Sequence, residues 1–468
     1  MCWIWTASGD WGVVAVAQDF RRVADQVAAE IAAGRLRPGD RLPTQRAFAR
    51  SRRIANSTAI RVYGELVRRG LAVGEVGRGT FVRAAPPSPG HALAEEPAAT
   101  GSPAARPTVN LELNYPVAEG QSQLMAQSLA GLLRPDVLEA ATRPAAADGT
   151  PQAREAAASL LARGGWRPDA GQLLFAGNGR QAIAAAIASF VRPGGRLGVE
   201  ALTYPLVKAV AERLGVSLVA IAADGDGLCP EALYAAHRSA PLSAVYVQPT
   251  LHNPTSVTMS EERRAELAQA CAHLDIGAVE DTTWAFLAAE APAPLAAHAP
   301  ARTVLVDSLS KRLAPGLTTG FLVAPTDHTG LLADALRSGA WTAARFNLEA
   351  ATRWITDGTV ATVTAAKRAD TAARHRLVQR HLGGFRIRTD LRAYYCWWEL
   401  PASWRTDTFV AAAAARGIAI TPGQAFAVPP HTAADAVRIG LASPPRDVLS
   451  YALETLAELA AQGPPGGP

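Results

Sequence analysis

Residues 303–320 read TVLVDSLSKRLAPGLTTG: an apolar run ending in an acid, then one lysine between two serines, an arginine and a Pro-Gly turn. TVLVDS has the length and branched content of a buried strand, and Lys311 stands just past its carboxyl end. The chain holds three lysines, Lys208, Lys311 and Lys367, against more than forty arginines. A lysine here therefore calls for chemistry that arginine lacks. An amine can lose its proton and form an imine with a carbonyl, whereas a guanidinium stays protonated. Lys208 and Lys367 read as surface lysines.

Working outward, QLLFAG, GRLGVE, VSLVAIAA, LSAVYVQP, IGAVED and GFLVAP are further strand candidates. Helical patterns such as QAIAAAIASFV, YPLVKAVAERL and SEERRAELAQACAHL lie between many of them. This alternation predicts an α/β fold with a mostly parallel, helix-covered sheet. Ligands in such sheets bind just beyond the carboxyl ends of the strands. The polar oddities fall there: Asn253 in TLHNPTS, Asp281 closing IGAVED, and Lys311 with Ser308 and Ser310. After QLLFAG the loop GNGRQ opens a helix, whose free backbone N–H groups favour an anion. Together these make a phosphate cradle, a buried carboxylate, an amide and a lone amine, the set that pyridoxal 5'-phosphate requires.

From about residue 109 to 465 the chain resembles the fold-type I aminotransferases, with a large domain over 109–330 and a smaller α+β domain over 331–465. The resemblance implies that Lys311 in SLSK is the Schiff-base lysine and that Asp281 in VEDTTW pairs with the pyridine nitrogen. It implies that Asn253 in HNPT bonds the phenolic oxygen and that Tyr204 in EALTYP stacks on the ring. Gly179, Arg180 and Gln181 match the phosphate loop, with Ser308 as a further donor and Ser310 beside it. Arg438 in AVRIGLAS matches the arginine that grips a substrate carboxylate through paired hydrogen bonds. There are departures. The usual PGLRLG reads PGLTTG, so Thr318 replaces a phosphate-binding arginine; Trp284 replaces a tyrosine, and Ser256 a glycine. Arg180 is the expected compensation for the missing arginine, and Arg312 a poorer one.

The amino-terminal part differs in charge. Residues 20–83 carry fourteen arginines and five acids, while the chain as a whole has a net charge of +5. A basic segment on a mildly acidic body suggests a polyanionic partner. Its pattern predicts a helix from Phe20 to a Gly34 cap, a short Thr44-capped helix and another from about Ser57 to Gly70. Two strands, LAVGE and GTFVR, then flank Gly77-Arg78-Gly79. That is a winged helix-turn-helix, whose second paired helix leads into the major groove. Ser57, Thr58 and Arg61 would face bases, Arg46 the phosphates and Arg78 a minor groove. AAGRLRPGDRLPTQRAFA, STAIRVYGELVRRG and GRGTFV resemble the GntR family of bacterial regulators. Joined to an aminotransferase-like body, the chain resembles the MocR-type regulators.

Residues 1–19 form an arm and 84–108, rich in Pro, Ala, Gly and Ser, a linker. With 49% hydrophobic and 19% charged residues, the 468-residue chain can bury a sizeable core. No apolar run reaches the ~18 residues that span a bilayer. The four scattered cysteines show neither metal spacing nor a disulfide framework. The expectation is a cytoplasmic homodimer that binds double-stranded operator DNA. Pyridoxal phosphate, with or without an amino compound as effector, would be its sensing element. A working aminotransferase with a fused head is the alternative, and a cofactor-free dimerisation body a third reading.

Overall fold

The computed structural model describes residues 3–5, 11–13, 20–33, 35–37, 39–69, 71–75, 79–82, 109–431 and 433–464. The linker, Gly34, Gly70 and Arg78 lie outside them. In the arm, Trp3–Trp5 pairs antiparallel with Trp11–Val13.

Three helices build the head: α1 (Phe20–Ala32), α2 (Gln45–Arg52) and α3 (Asn56–Arg68). The Thr44 hydroxyl caps α2 by accepting from the Ala47 N–H, as expected. Val23, Val27, Phe48, Val62 and Leu66 close a small core between the helices. Burial pushes the Tyr63 hydroxyl up to about 12, so it stays a donor, to the Pro43 carbonyl at 2.5 Å. Strands Ala72–Glu75 and Gly79–Val82 pair antiparallel as the wing.

The body is organised by a seven-stranded sheet. Its strands are β1 (Leu173–Ala176), β2 (Arg196–Glu200), β3 (Ser217–Ile221), β4 (Ala244–Val247), β5 (Gly277–Asp281), β6 (Thr303–Ser308) and β7 (Gly320–Val323). All seven runs named from the sequence are present. The order is β1-β7-β6-β5-β4-β2-β3, parallel except that β7 runs against both its neighbours. Every residue of β4, β5 and β6 is buried, as befits strands with helices on both faces.

One assignment moves. The helices Thr329–Ser338 and Arg345–Thr356, expected in the smaller domain, pack on the large sheet. Leu332 and Leu336 join Ile183 and Ile187, while Leu348 and Trp354 join Phe175 and Phe321. Conversely, Val109–Asn110 pairs with Ile418–Ala419, and Leu111 enters the core of the smaller sheet beside Trp398 and Ile439. Apolar faces, rather than chain order, decide which core a segment joins. Among the described residues no helix is long and apolar enough to cross a membrane.

Arg264 is fully buried and fastens both ends of the loop that carries Asn253. It donates to the carbonyls of Pro249 and Met259 and to the Thr250 hydroxyl at 3.0–3.2 Å, and to Ala293 O. Losing a charged donor while its acceptors stay buried is costly. Arg264→Met is therefore expected to lower the unfolding free energy by about 3 kcal/mol, read as an earlier urea midpoint at unchanged slope.

Candidate functional site

At the carboxyl edge of the sheet the chain closes a cavity lined by residues from many segments. Asn178, Gly179 and Arg180 follow β1; Tyr204 follows β2; Gln248 and Asn253 follow β4. Asp281 ends β5, Ser308 ends β6, and Lys311 comes three residues later. Arg438 reaches the same cavity from the smaller sheet. Parallel strands end side by side, so residues more than a hundred positions apart meet at one rim.

Lys311 is 7% exposed. Its Nζ donates to the Asn114 carbonyl at 3.3 Å and lies 4.0 Å from the Tyr115 ring centre and 5.5 Å from that of Trp284. Asp281 is held by three donors: Tyr246 Oη at 2.7 Å, Gln248 Nε2 at 2.9 Å and the Thr283 N–H at 2.9 Å. Burial and the adjacent carboxylate raise the Tyr246 hydroxyl well above its ordinary range, so it remains a donor. Gln248 also accepts from the Asn253 N–H at 3.1 Å. One amide thus couples the carboxylate to the Asn253 loop. Tyr246, Gln248 and Asn114 escaped the sequence reading, since a polar residue inside an apolar run carries no motif of its own.

The expected anion cradle falls at the amino end of the helix Gly179–Phe190. The Asn178 side chain caps it by accepting from Gln181 N–H at 3.0 Å, leaving the first backbone N–H groups toward the cavity. Close packing shapes this loop, because a Cβ on Gly320 would stand 2.4 Å from Asn178 O. Arg180 lines the cavity. Arg312 does not, being tied to Asp307 at 2.7 Å.

Two expected contributors stand apart. Thr318 is not among the lining residues; its hydroxyl is engaged with Ser310 Oγ at 2.9 Å. The Gln181 carboxamide folds over Gly177 and also leaves the lining. Trp284 lines the cavity, and its ring meets Tyr395 edge-on. Ser256, buried with φ of 62°, stands in the left-handed backbone region that favours glycine. Asn253 Oδ1 and Arg438 Nε are buried without partners. Arg438 Nη2 donates to Glu112 O at 2.9 Å and to the Thr421 hydroxyl at 3.3 Å.

On the head, Arg46, Ser57 and Arg61 are exposed and Thr58 half-buried, with Ser57, Thr58 and Arg61 all in the first two turns of α3. Other arginines serve the fold: Arg52 pairs with Glu30 at 2.7 Å and Arg69 with Asp25 at 2.5 Å.

Comparison with known proteins gives two family matches. The model of aminotransferase class I and II matches residues 139–456, and that of bacterial regulatory proteins of the gntR family matches 20–82. The uncharacterized HTH-type transcriptional regulator YdeF of Bacillus subtilis is 28% identical over 426 residues, spanning 91% of this chain and 90% of the relative. The HTH-type pyridoxine biosynthesis transcriptional regulator PdxR of Corynebacterium glutamicum is 25% identical over 323 residues, 67% of each chain. Among solved structures, an archaeal alanine:glyoxylate aminotransferase superposes with a TM-score of 0.69 at 19% identity, covering 76% of this chain and 91% of that one. At that identity the likeness shows the fold.

The cradle makes a prediction about anions. Arg180→Ala should weaken the binding of inorganic phosphate and of pyridoxal phosphate by roughly tenfold or more, as loss of one charge-assisted contact does. Isothermal titration measures both, and unchanged affinity would remove Arg180 from the cradle.

Proposed function

Because the chain belongs to the aminotransferase class I and II family and joins it to a GntR-family head, the make-up of MocR-type regulators, we propose that it is a DNA-binding transcriptional regulator that senses through pyridoxal phosphate held in its aminotransferase-like body. The observation that carries this reading is the meeting of Lys311, Asp281, Asn253 and the Asn178–Arg180 cradle around one cavity. The residues fit the group: an amine lining the same cavity as the 178–180 loop, a carboxylate fixed by three donors, and a buried amide atom without a partner.

Bound there, pyridoxal phosphate supplies an aldehyde able to capture an amine and a ring able to draw electrons. Lys311 offers the amine. Asp281, immobilised by Tyr246, Gln248 and the Thr283 N–H, would hold the ring nitrogen. Asn253 would meet the phenolic oxygen, Tyr204 would cover the ring, and the cradle with Ser308, Ser310 and Arg180 would receive the phosphate. Trp284, with its ring centre 5.5 Å from Lys311 Nζ, would cover the amine. Arg438 recognises the carboxylate of an amino compound, the effector. Because Arg438 belongs to the smaller sheet, an occupied carboxylate site would tie that sheet to the large one across the cavity and shift the population of the body. In the head, Ser57, Thr58 and Arg61 at the start of α3 meet base edges, with Arg46 on phosphate.

The presence of both Lys311 and Arg438 at one cavity also favours a second reading, turnover as an aminotransferase, in which Lys311 would move the proton of the amino compound. Steady multiple turnover of an amino-acid and keto-acid pair would select it.

Two tests address the regulator. The protein mixed with pyridoxal phosphate should turn yellow, and borohydride should fix the cofactor to Lys311, with no label in Lys311→Ala. A colourless wild type would refute the sensing element. Operator retention should fall with salt. Arg46→Ala should weaken it uniformly across sequences and lower the log–log salt slope by about 1, whereas Arg61→Ala should relax specificity.

A further inference from the structure

The last of the chain's three lysines is not the surface residue it reads as. Lys367 is 1% exposed and sits in the 24-residue helix Thr359–Leu382. Its Nζ donates to three consecutive carbonyls, those of Lys311 at 3.0 Å, Arg312 at 2.9 Å and Leu313 at 2.9 Å. These close the four-residue helix Leu309–Arg312 that carries Lys311, where backbone acceptors lack intrahelical partners. An ammonium has three N–H donors and a neutral amine two. Three acceptors at these distances therefore call for the charged form.

The charge is held under strain from its surroundings. Burial first, and the neighbouring Lys311 second, push Lys367 down to about 7, while the three carbonyls and the negative end of the short helix act the other way. The charged and titratable groups around it are Lys311 and Arg312 on the clamped segment, and Arg368, Asp370 and Tyr394. The Tyr394 hydroxyl donates to the Lys367 carbonyl at 2.7 Å and to Asp370 at 3.1 Å. Two turns further along the same helix, Arg374 donates to the carbonyls of Leu441 and Pro444. Leu441 directly follows Ala436–Gly440, the strand of Arg438. One helix is thus fastened at one point to the Lys311 segment and at another to the chain leaving Arg438.

We propose that Lys367 is the positioning residue of the Lys311 segment: its ammonium ties the Lys311–Leu313 backbone to the long helix, sets where the Lys311 amine stands, and links it to the Arg438 strand. The inference rests on reading Lys311 as the amine that captures a carbonyl.

The full-length protein tests it with pyridoxal phosphate as probe. Capture is followed by visible absorbance and by borohydride-fixed label on Lys311, across pH. Lys367→Met should weaken capture at least tenfold. It should also move upward the pH at which the visible band changes, since a neighbouring cation that opposed protonation is gone. Lys367→Arg, which keeps the charge, should recover much of both. If Lys367→Met does not fold, Lys367→Gln, with two donors, should show a smaller loss in the same direction. A variant with a lowered melting temperature but wild-type capture and an unmoved band would reduce Lys367 to a structural part and overturn the proposal. A wild type that captures nothing would instead sink the cofactor reading itself.

Discussion

A sheet sealed by helices on both faces leaves its polar side chains one place to go, the ends of its strands. β4, β5 and β6 are buried throughout, and the chemistry of the body begins where they stop. Gln248 follows β4, Asp281 closes β5, and Ser308 closes β6 with Lys311 just beyond. Each such group must find a partner in a low-dielectric rim or destabilise the fold. Asp281 finds Tyr246, Gln248 and Thr283; Glu280 accepts from the N–H groups of Leu295 and Ala296; Asp307 pairs with Arg312. Asn253 Oδ1 and Arg438 Nε, both on residues lining the cavity, are buried without partners after this pairing. The site is the residue of a packing problem that the rest of the fold solves.

The head shows the same economy with charge. A surplus of arginine suggests a polyanion, yet part of it is consumed locally. Arg68 pairs with Glu65 inside α3, while Arg52 and Arg69 pair with Glu30 and Asp25 and so tie α2 and the end of α3 to α1. Arg46 and Arg61 remain exposed on α2 and α3. Net charge alone therefore overstates the surface offered to DNA, and the arrangement of the helices decides which cations face outward.

Much was legible because the signals are local. The seven strands announced themselves as short branched runs, Thr44 as a cap, and Lys311 by its rarity. Their place at strand ends picked out Asp281 and Asn253, and resemblance added Tyr204 and Arg438; all four line the cavity. Thr318 and Gln181 match by position but do not line it, because a neighbouring hydroxyl and the chain's own glycine take their side chains. Lys367 was misread for the opposite reason. In a helix rich in alanine, arginine and threonine a lysine looks solvated, and nothing nearby shows that three carbonyls from residues 311–313 will surround it.

The sequence by itself determined the element types, the strand-tip chemistry and the two-part make-up of the chain, since each depends on neighbours within a few residues. Only the tertiary structure decided which segments share a core, which polar groups are already satisfied, and how a buried ammonium reaches the Lys311 backbone. Hydrogen bonds and apolar contacts between distant segments depend on distances that chain order does not encode. That is why Val109–Asn110 pairs with Ile418–Ala419 beside the smaller sheet's core, the Thr329–Ser338 helix joins the larger, and Lys367 meets Lys311 across 56 positions of sequence.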